Sequence, residues 1–484
     1  MVVDYDKYEL VCGLEVHIQM LTKTKAYVSD SYTYGALPNT QISPITLGHP
    51  GTLPKSNKKV IEYGIKLGLA CNSDISREMY YDRKNYFYAD LPKGYQLTQD
   101  ATPICRGGYI TIHDKEGVKT NVELTRIHME EDSGKSIHDQ DPFNTLVDFN
   151  RAGVPLLEIV TEPVIENSDQ AYEFLSEVRK LIRYLEICDG NMEEGSMRCD
   201  ANVSVRLKGE KELGQRTEVK NMNSISNVKK AIEFETKRQI ERLEAGEKIV
   251  METRSFDAVN QTTFSLRAKS EAHDYRYFPE PDLQPLRLTV EEINDIQDAL
   301  PPLPWELKEK YTVKFGLSDY DASILTEDKS LALYYEEVIK STAEYKVAAN
   351  WVIGDVKSWL NHQAVEISNF PITPTRIAEL MDIIKEGKIS HSVASQSVFP
   401  AMVKDVNKSP IHIAEALNLL QDSDESNITI FVKQALEKYP DKVSEYKNGN
   451  KGLIGLFMGE VMKLSQRKAD PKAASKILKE LLEN

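Results

Sequence analysis

Two periodicities divide the chain. Up to about residue 290, short stretches alternate apolar and polar side chains, as strands do when one face lies in a core. The earliest is Gly13-Leu14-Glu15-Val16-His17-Ile18-Gln19, with Leu14, Val16 and Ile18 on one face and Glu15, His17 and Gln19 on the other. Residues 109–113 and 121–129 predict antiparallel strands joined at Lys115-Glu116-Gly117, the second running into Glu130-Glu131-Asp132. Between Asp148 and Pro163 a polar run turns at Gly153 and Pro155 and enters a buried strand. That strand places Leu157 and Ile159 on one face and Glu158 on the other. Residues 197–206 set Asp200, Asn202, Ser204 and Arg206 opposite Ala201, Val203 and Val205, and residues 216–224 put Glu218 beside Lys220.

Helical spacing interrupts these strands and then replaces them. It predicts a helix over 57–70, a second after the capping pair Ser168 and Asp169, and a long third over 225–244. Pro279, Pro281 and Pro285 mark a rigid connector or domain edge. Beyond it the chain reads as helical, with segments near 290–300, 330–340, 344–360 and 374–386 and a further helical stretch from about 409. No internal repeat or low-complexity segment is visible. The expected architecture is α+β: an antiparallel-sheet domain over 1–290, a helical domain over 291–408 and a small helical tail over 409–484.

Composition narrows the class. With 484 residues, 41% hydrophobic and 28% charged, this is an ordinary multi-domain globular chain. No apolar run approaches the ~20 residues of a membrane span, and the acidic N-terminus lacks a signal-peptide pattern. Five scattered cysteines without a CxxC point to free thiols in a reducing, cytoplasmic setting. The net charge of −15 opposes indiscriminate nucleic-acid binding. The tail differs: between Lys447 and Lys479 eight basic residues face two acids, a local net of +6. Lys451, Lys463, Arg467 and Lys468 belong to this footprint, which suits a phosphate backbone as well as it suits a solubilising helix end.

Candidate chemistry lies on the polar strand faces. A buried carboxylate at Glu158 needs a partner: a metal, a phosphate-bearing ligand, or an arginine such as Arg151 in a structural ion pair. Glu15 and His17 are ligand types for a divalent cation, although a solvated strand face would look the same. A sheet face carrying acids with Lys and Arg can hold a metal and offset charge on a transferring phosphoryl group. Aromatics interleaved with basic residues over 80–88 can stack on bases or simply pack together. Ser133-Gly134-Lys135-Ser136 mimics the end of a P-loop, but Met129 stands where that motif needs glycine.

The stretches GLEVHIQ, YYDRKNYFYADLPKGYQ, DFNRAGVPLLEIVTEP, SMRCDANVSVR, RTEVKNMNS, DYRYFPEPDL and NGNKGLIGLFMGEVMK run through nearly the whole chain. In order and content they resemble the B subunits of the aspartyl/glutamyl-tRNA(Asn/Gln) amidotransferase family. The resemblance implies a cradle-like catalytic domain, a helical domain and a tRNA-contacting tail in a heterotrimer with an amidase A subunit and a small C subunit. It implies phosphorylation of misacylated Glu-tRNA(Gln) or Asp-tRNA(Asn) with ATP, followed by amidation with ammonia from the A subunit. Magnesium is then expected on Glu15, His17, one of Glu130 and Glu131, and Glu158. Glu158, Lys220, Asp200 and Asn202 are the expected catalytic group, with Arg151, Arg206 and Lys220 at the nucleotide. Many family members carry a zinc knuckle. Its positions hold Val28, Asp30, Ser43 and Thr46 here, so no zinc is expected. Two other readings compete: an RNA-binding scaffold with a structural acidic cluster, and a magnesium-dependent kinase or ligase acting on a free small molecule.

Overall fold

A computed structural model describes residues 3–268, 274–421, 425–465 and 468–483. The chain forms two compact units, Met1–Pro304 and Trp305–Asn484.

The first unit is built on a ten-stranded sheet. Its central members are β1 (Tyr8–Gln19), β2 (Lys119–Glu131), β3 (Pro155–Thr161), β4 (Met197–Leu207), β5 (Thr217–Met222) and β6 (Glu252–Asp257). Their spatial order is β2-β3-β1-β4-β5-β6, so β1 lies between strands far later in the chain. Neighbours run antiparallel as expected, except that β5 and β6 are parallel, making the sheet mixed. The hairpin read from sequence is present, Tyr109–His113 pairing with β2.

Alternation decides what each face does. Leu14, Val16, Ile18, Leu157, Ile159, Ala201 and Val203 are fully buried in one continuous core. Three helices cover that face: α1 (Lys58–Ala70), α2 (Ser168–Tyr184) and α3 (Ile225–Glu244). Each starts where a side chain can accept an otherwise unbonded backbone N–H: Asn57, Asn167 and Ser224. The second cap is Asn167, one residue before the predicted pair. All five cysteines are free and buried, and all five belong to this core.

The expected domain edge at 290 lies short of the division after Pro304. The helix Val290–Asp298 stays with the first unit because Ile293, Ile296 and Leu300 pack on its core.

The second unit is helical in its described residues. Three π-helical turns, Lys310–Lys314, Val352–Val356 and Ala394–Val398, begin at residues 310, 352 and 394, a constant interval that the sequence does not display as a repeat. The tail has its own apolar cluster, centred on Ile428, Val432, Phe457, Val461 and Leu478. No helix among the described residues is long and apolar enough to cross a membrane.

Candidate functional site

The face of the sheet opposite the core carries the charged residues, and strand register brings them together. His128 on β2 lies opposite Glu158 on β3, Glu158 opposite His17 on β1, and His17 opposite Arg198 on β4. Glu15 faces Asp200, Gly13 faces Asn202, and Asn202 faces Glu218. Residues opposite each other in neighbouring strands share a face, so these side chains meet although they come from strands far apart in the chain. Of these, Glu15, His17, Glu158, Arg198, Asp200 and Glu218 line a cleft of about 940 Å³.

At its centre the Glu158 carboxylate lies 3.3 Å from His17 Nε2 and 3.1 Å from His128 Nε2. His128 Nε2 also reaches Glu130 at 3.0 Å. Thr98 Oγ1 and Gln96 Nε2 donate to the Glu130 oxygens at 2.9 and 3.1 Å. His17, Glu130 and Glu158 each offer a ligand atom, all within 4.8 Å of one another. His128 sits behind the two carboxylates and holds both, as side chains backing metal ligands do.

A second group lies alongside. Glu15, Asp200 and Glu218 also offer atoms within 4.8 Å of one another. Asn202 donates to Glu15 at 2.9 Å. Lys220 bonds Asp200 and reaches Glu218 at 3.0 Å. A bulge between β4 and β5 presents this end of the sheet, with Asn221 in the left-handed region at φ 65°.

Burial and charge fix the protonation states. Burial pushes the Glu158 carboxyl up, but the imidazoles of His128 and His17 outweigh it and hold the group well below its usual range. Burial lowers His128, but the charges of Glu158 and Glu130 outweigh it and raise the imidazole to about 9. His17 is raised by the same opposition, burial against Glu158. Glu15 is raised, first by burial and then by Glu158 and Asp200.

The donor chemistry suits a divalent cation. Glu15, Glu130, Asp132, Glu158, Asp200 and Glu218 line the cleft against Lys84, Arg198 and Lys220, six carboxylates to three cations. That excess calls for a bound positive charge. His17, Glu130 and Glu158, with Glu15 adjacent, are the residues fitted to hold it. Glu15, Asp200 and Glu218 are the more oxygen-rich set, but the Lys220 ammonium already pairs with two of them.

The geometry also separates the expected residues. Of Glu130 and Glu131, only the first joins the cluster. Glu131 points to the other face, where Lys93 and the Leu97 N–H (2.8 Å) bond it. Arg151 and Arg206, expected at the nucleotide, do not line the cleft. Arg151 precedes the Gly153 turn and donates to the carbonyls of Ser133 and Gly134 at 3.0 and 2.7 Å. Arg206 shares a face with Asn202 but lies four residues along β4, about 13 Å at strand rise, and pairs with Glu9 at 2.6 Å. Glu158 therefore pairs with imidazoles and not with Arg151.

Sequence reasoning passed over His128 and Arg198, and placed Lys84 only within the aromatic and basic run over 80–88. Arg198 and Gln19 fix Asp132 at the cleft wall, at 2.8 and 2.9 Å. In the tail, Lys451 lies 4.3 Å from the Tyr446 ring centre, Lys468 donates to Asn418 and Lys463 is exposed. Arg467 lies outside the described residues. At the positions of the zinc knuckle, Thr46 donates instead to Asp30, at 2.5 Å.

Residues 10–294 match the GatB/GatE catalytic domain and residues 333–482 the GatB domain. Three similar curated proteins each carry the name of the B subunit of the aspartyl/glutamyl-tRNA(Asn/Gln) amidotransferase. That of Thermodesulfovibrio yellowstonii is 45% identical over 98% of this chain and 99% of its own. That of Caldicellulosiruptor bescii is 46% identical over 99% of each. That of Persephonella marina is 46% identical over 98% of this chain and all of its own.

Proposed function

This chain belongs to the GatB/GatE family, and from that premise we propose that it is the component of a glutamine-hydrolysing, tRNA-dependent ligase that phosphorylates and amidates the side chain of a misacylated tRNA. The substrate is Glu-tRNA(Gln), Asp-tRNA(Asn) or both. A carboxylate resists attack by ammonia because its leaving group would be an oxide. ATP removes that obstacle: a carboxylate oxygen bonds to the terminal phosphorus, the bond from that phosphorus to the bridging oxygen breaks, and ADP leaves with the electron pair. Ammonia delivered by an amidase A subunit then bonds to the acyl carbon, and the carbon–oxygen bond to phosphate breaks. Inorganic phosphate leaves with that pair, and the nitrogen sheds its extra proton to solvent. A small C subunit completes the heterotrimer, which works in the cytoplasm where tRNA is charged.

The observation that carries this reading is the convergence of His17, Glu130 and Glu158 in one cleft. These residues would hold magnesium, which supplies charge neutralisation where anionic oxygens gather. His128 keeps the two carboxylates turned toward the cleft. Asp200 and Lys220 line the nucleotide or acceptor end and orient what binds there, while Asn202, outside the cleft lining, holds Glu15. The basic tail, through Lys451, Lys463, Arg467 and Lys468, takes the tRNA backbone.

Co-expression with candidate A and C subunits tests the reading, with ADP release and amide formation followed on both misacylated tRNAs. Turnover that depends on tRNA is expected. Turnover on a free small molecule, or no phosphoryl transfer with all partners present, would overturn it.

A further inference from the structure

Of the three cations lining the cleft, two have anionic partners. Lys220 is tied to Asp200 and Glu218, and Arg198 to Asp132 at 2.8 Å. Lys84 differs. Its Nζ lies 4.9 Å from the centre of the Tyr275 ring, and among the described residues no carboxylate stands within ion-pair distance of it.

Its placement is held from the other side of its strand. Lys84 sits on Asp82–Asn85, a strand that pairs with Tyr95–Thr98. The neighbouring Arg83 makes two 2.7 Å bonds to the buried carboxylate of Glu280, and its guanidinium lies 4.2 Å from the Tyr95 ring centre. With Arg83 clamped on one face, alternation sends Lys84 to the other, into the cleft. Lys84 lines that cleft and also the adjoining cavity, where Glu15, Glu130 and Glu158 reappear beside Arg126 and Tyr277.

A half-buried ammonium that stands beside a carboxylate cluster without contacting it has lost water without gaining a direct anionic partner. A ligand oxyanion would provide one. A cation fixed before the ligand arrives also needs no rearrangement when charge develops. We propose that Lys84 is a catalytic residue that contacts the non-bridging oxygens of the transferring phosphoryl group. It does so first on the nucleoside triphosphate and then on the acyl phosphate.

This rests on the phosphorylation reading above. The bonds made and broken are those already given. Lys84 keeps its proton throughout and forms no covalent bond. Its contact strengthens as charge gathers on the phosphoryl oxygens, so it acts on kcat more than on KM.

The test uses the assembled heterotrimer with Lys84→Met and Lys84→Arg. Tyr275 offers the same ring to either replacement, and thermal unfolding confirms that each variant folds. With misacylated tRNA, ADP release is measured and acyl phosphate is trapped with hydroxylamine. Lys84→Met should lower kcat for ADP release at least ~100-fold with less than a threefold change in KM for ATP. Lys84→Arg should recover ten-fold or more, because it restores the charge. ADP release within threefold of wild type in Lys84→Met, or a rise in KM for tRNA alone, overturns the proposal and leaves the phosphorylation reading intact. A normal rate of ADP release with lost amide formation also overturns it, by moving Lys84 to the ammonia step. If the wild-type heterotrimer releases no ADP on misacylated tRNA, the reading and the proposal fall together.

Discussion

Replacing Glu158 with Gln removes one negative charge from the point where two imidazoles and a second carboxylate meet. The amide fills the same volume, so the core face of β3, with Leu157 and Ile159 fully buried, is untouched. Two consequences can be sized. The first is catalytic. Glu158 is one of three clustered donors, and losing a charge that stabilises the transition state costs 10²-fold or more, about 2.7 kcal/mol. ADP release by the heterotrimer, titrated with magnesium, should fall by at least that factor and stay low at saturation. The second concerns pH in chelator-treated protein. His128 titrates near 9, because Glu158 and Glu130 outweigh its burial. A histidine raised above its unfolded value of about 6.5 contributes stability that is complete below that pH and lost as pH climbs through 9. The rise from about 6.5 to about 9 sets a ceiling of about 3 kcal/mol. Wild-type protein should therefore lose stability between pH 6.5 and 9 in denaturant titrations, and Glu158→Gln should flatten that decline. Near-wild-type ADP release together with an unchanged pH slope would refute the reasoning.

Three further outcomes are expected. Lys25 is fully buried with one long bond, 3.4 Å to the Phe149 carbonyl, and burial pulls its amine down to about 8. Its charge therefore costs stability in full below pH 8, and the cost fades as pH approaches 10.5. Lys25→Met should gain up to about 3 kcal/mol at pH 7 and little at pH 10.5, and a loss at pH 7 would contradict this. Gly68→Ala would improve helix propensity by about 1 kcal/mol. Its new Cβ, however, falls 2.3 Å from Cys105 Sγ and 2.7 Å from Ile75 Cδ1, so overpacking of about 1–3 kcal/mol should prevail and lower the Tm. Changing Lys451, Lys463 and Lys468 to Ala should weaken tRNA binding and reduce the slope of log K against log salt by roughly 1 per lost contact. Unchanged affinity would remove the tail from the tRNA interface.

Much of the sheet was legible because alternation in β1, β3 and β4 states which residues face the core. The same rule could have resolved the acidic pair: His128 and Glu130 are two apart and share a face, whereas Glu131 must face away. His128 itself was missed because its meaning depends on register with Glu158, thirty residues later, and register is a tertiary fact. Arg151 and Arg206 are placed by contacts that the sequence does not announce. Their charge type fitted the chemistry, but a turn redirects one and distance along the strand isolates the other. The parallel β5–β6 pair needs the long crossover through α3, which no local pattern announces. The π-helical turns were invisible for a similar reason: widening one helical turn leaves the apolar spacing nearly unchanged.

The five buried thiols give the molecule a built-in reporter of its own opening. Burial pushes Cys12, Cys71 and Cys188 up to about 12 and also holds Cys105 and Cys199 well above the usual thiol range. Alkylating reagents attack the thiolate, so modification has to wait until these side chains meet solvent. None lies beyond residue 199. The rate at which iodoacetamide consumes them would time the breathing of the sheet-bearing half alone, while the helical half stays silent to the reagent.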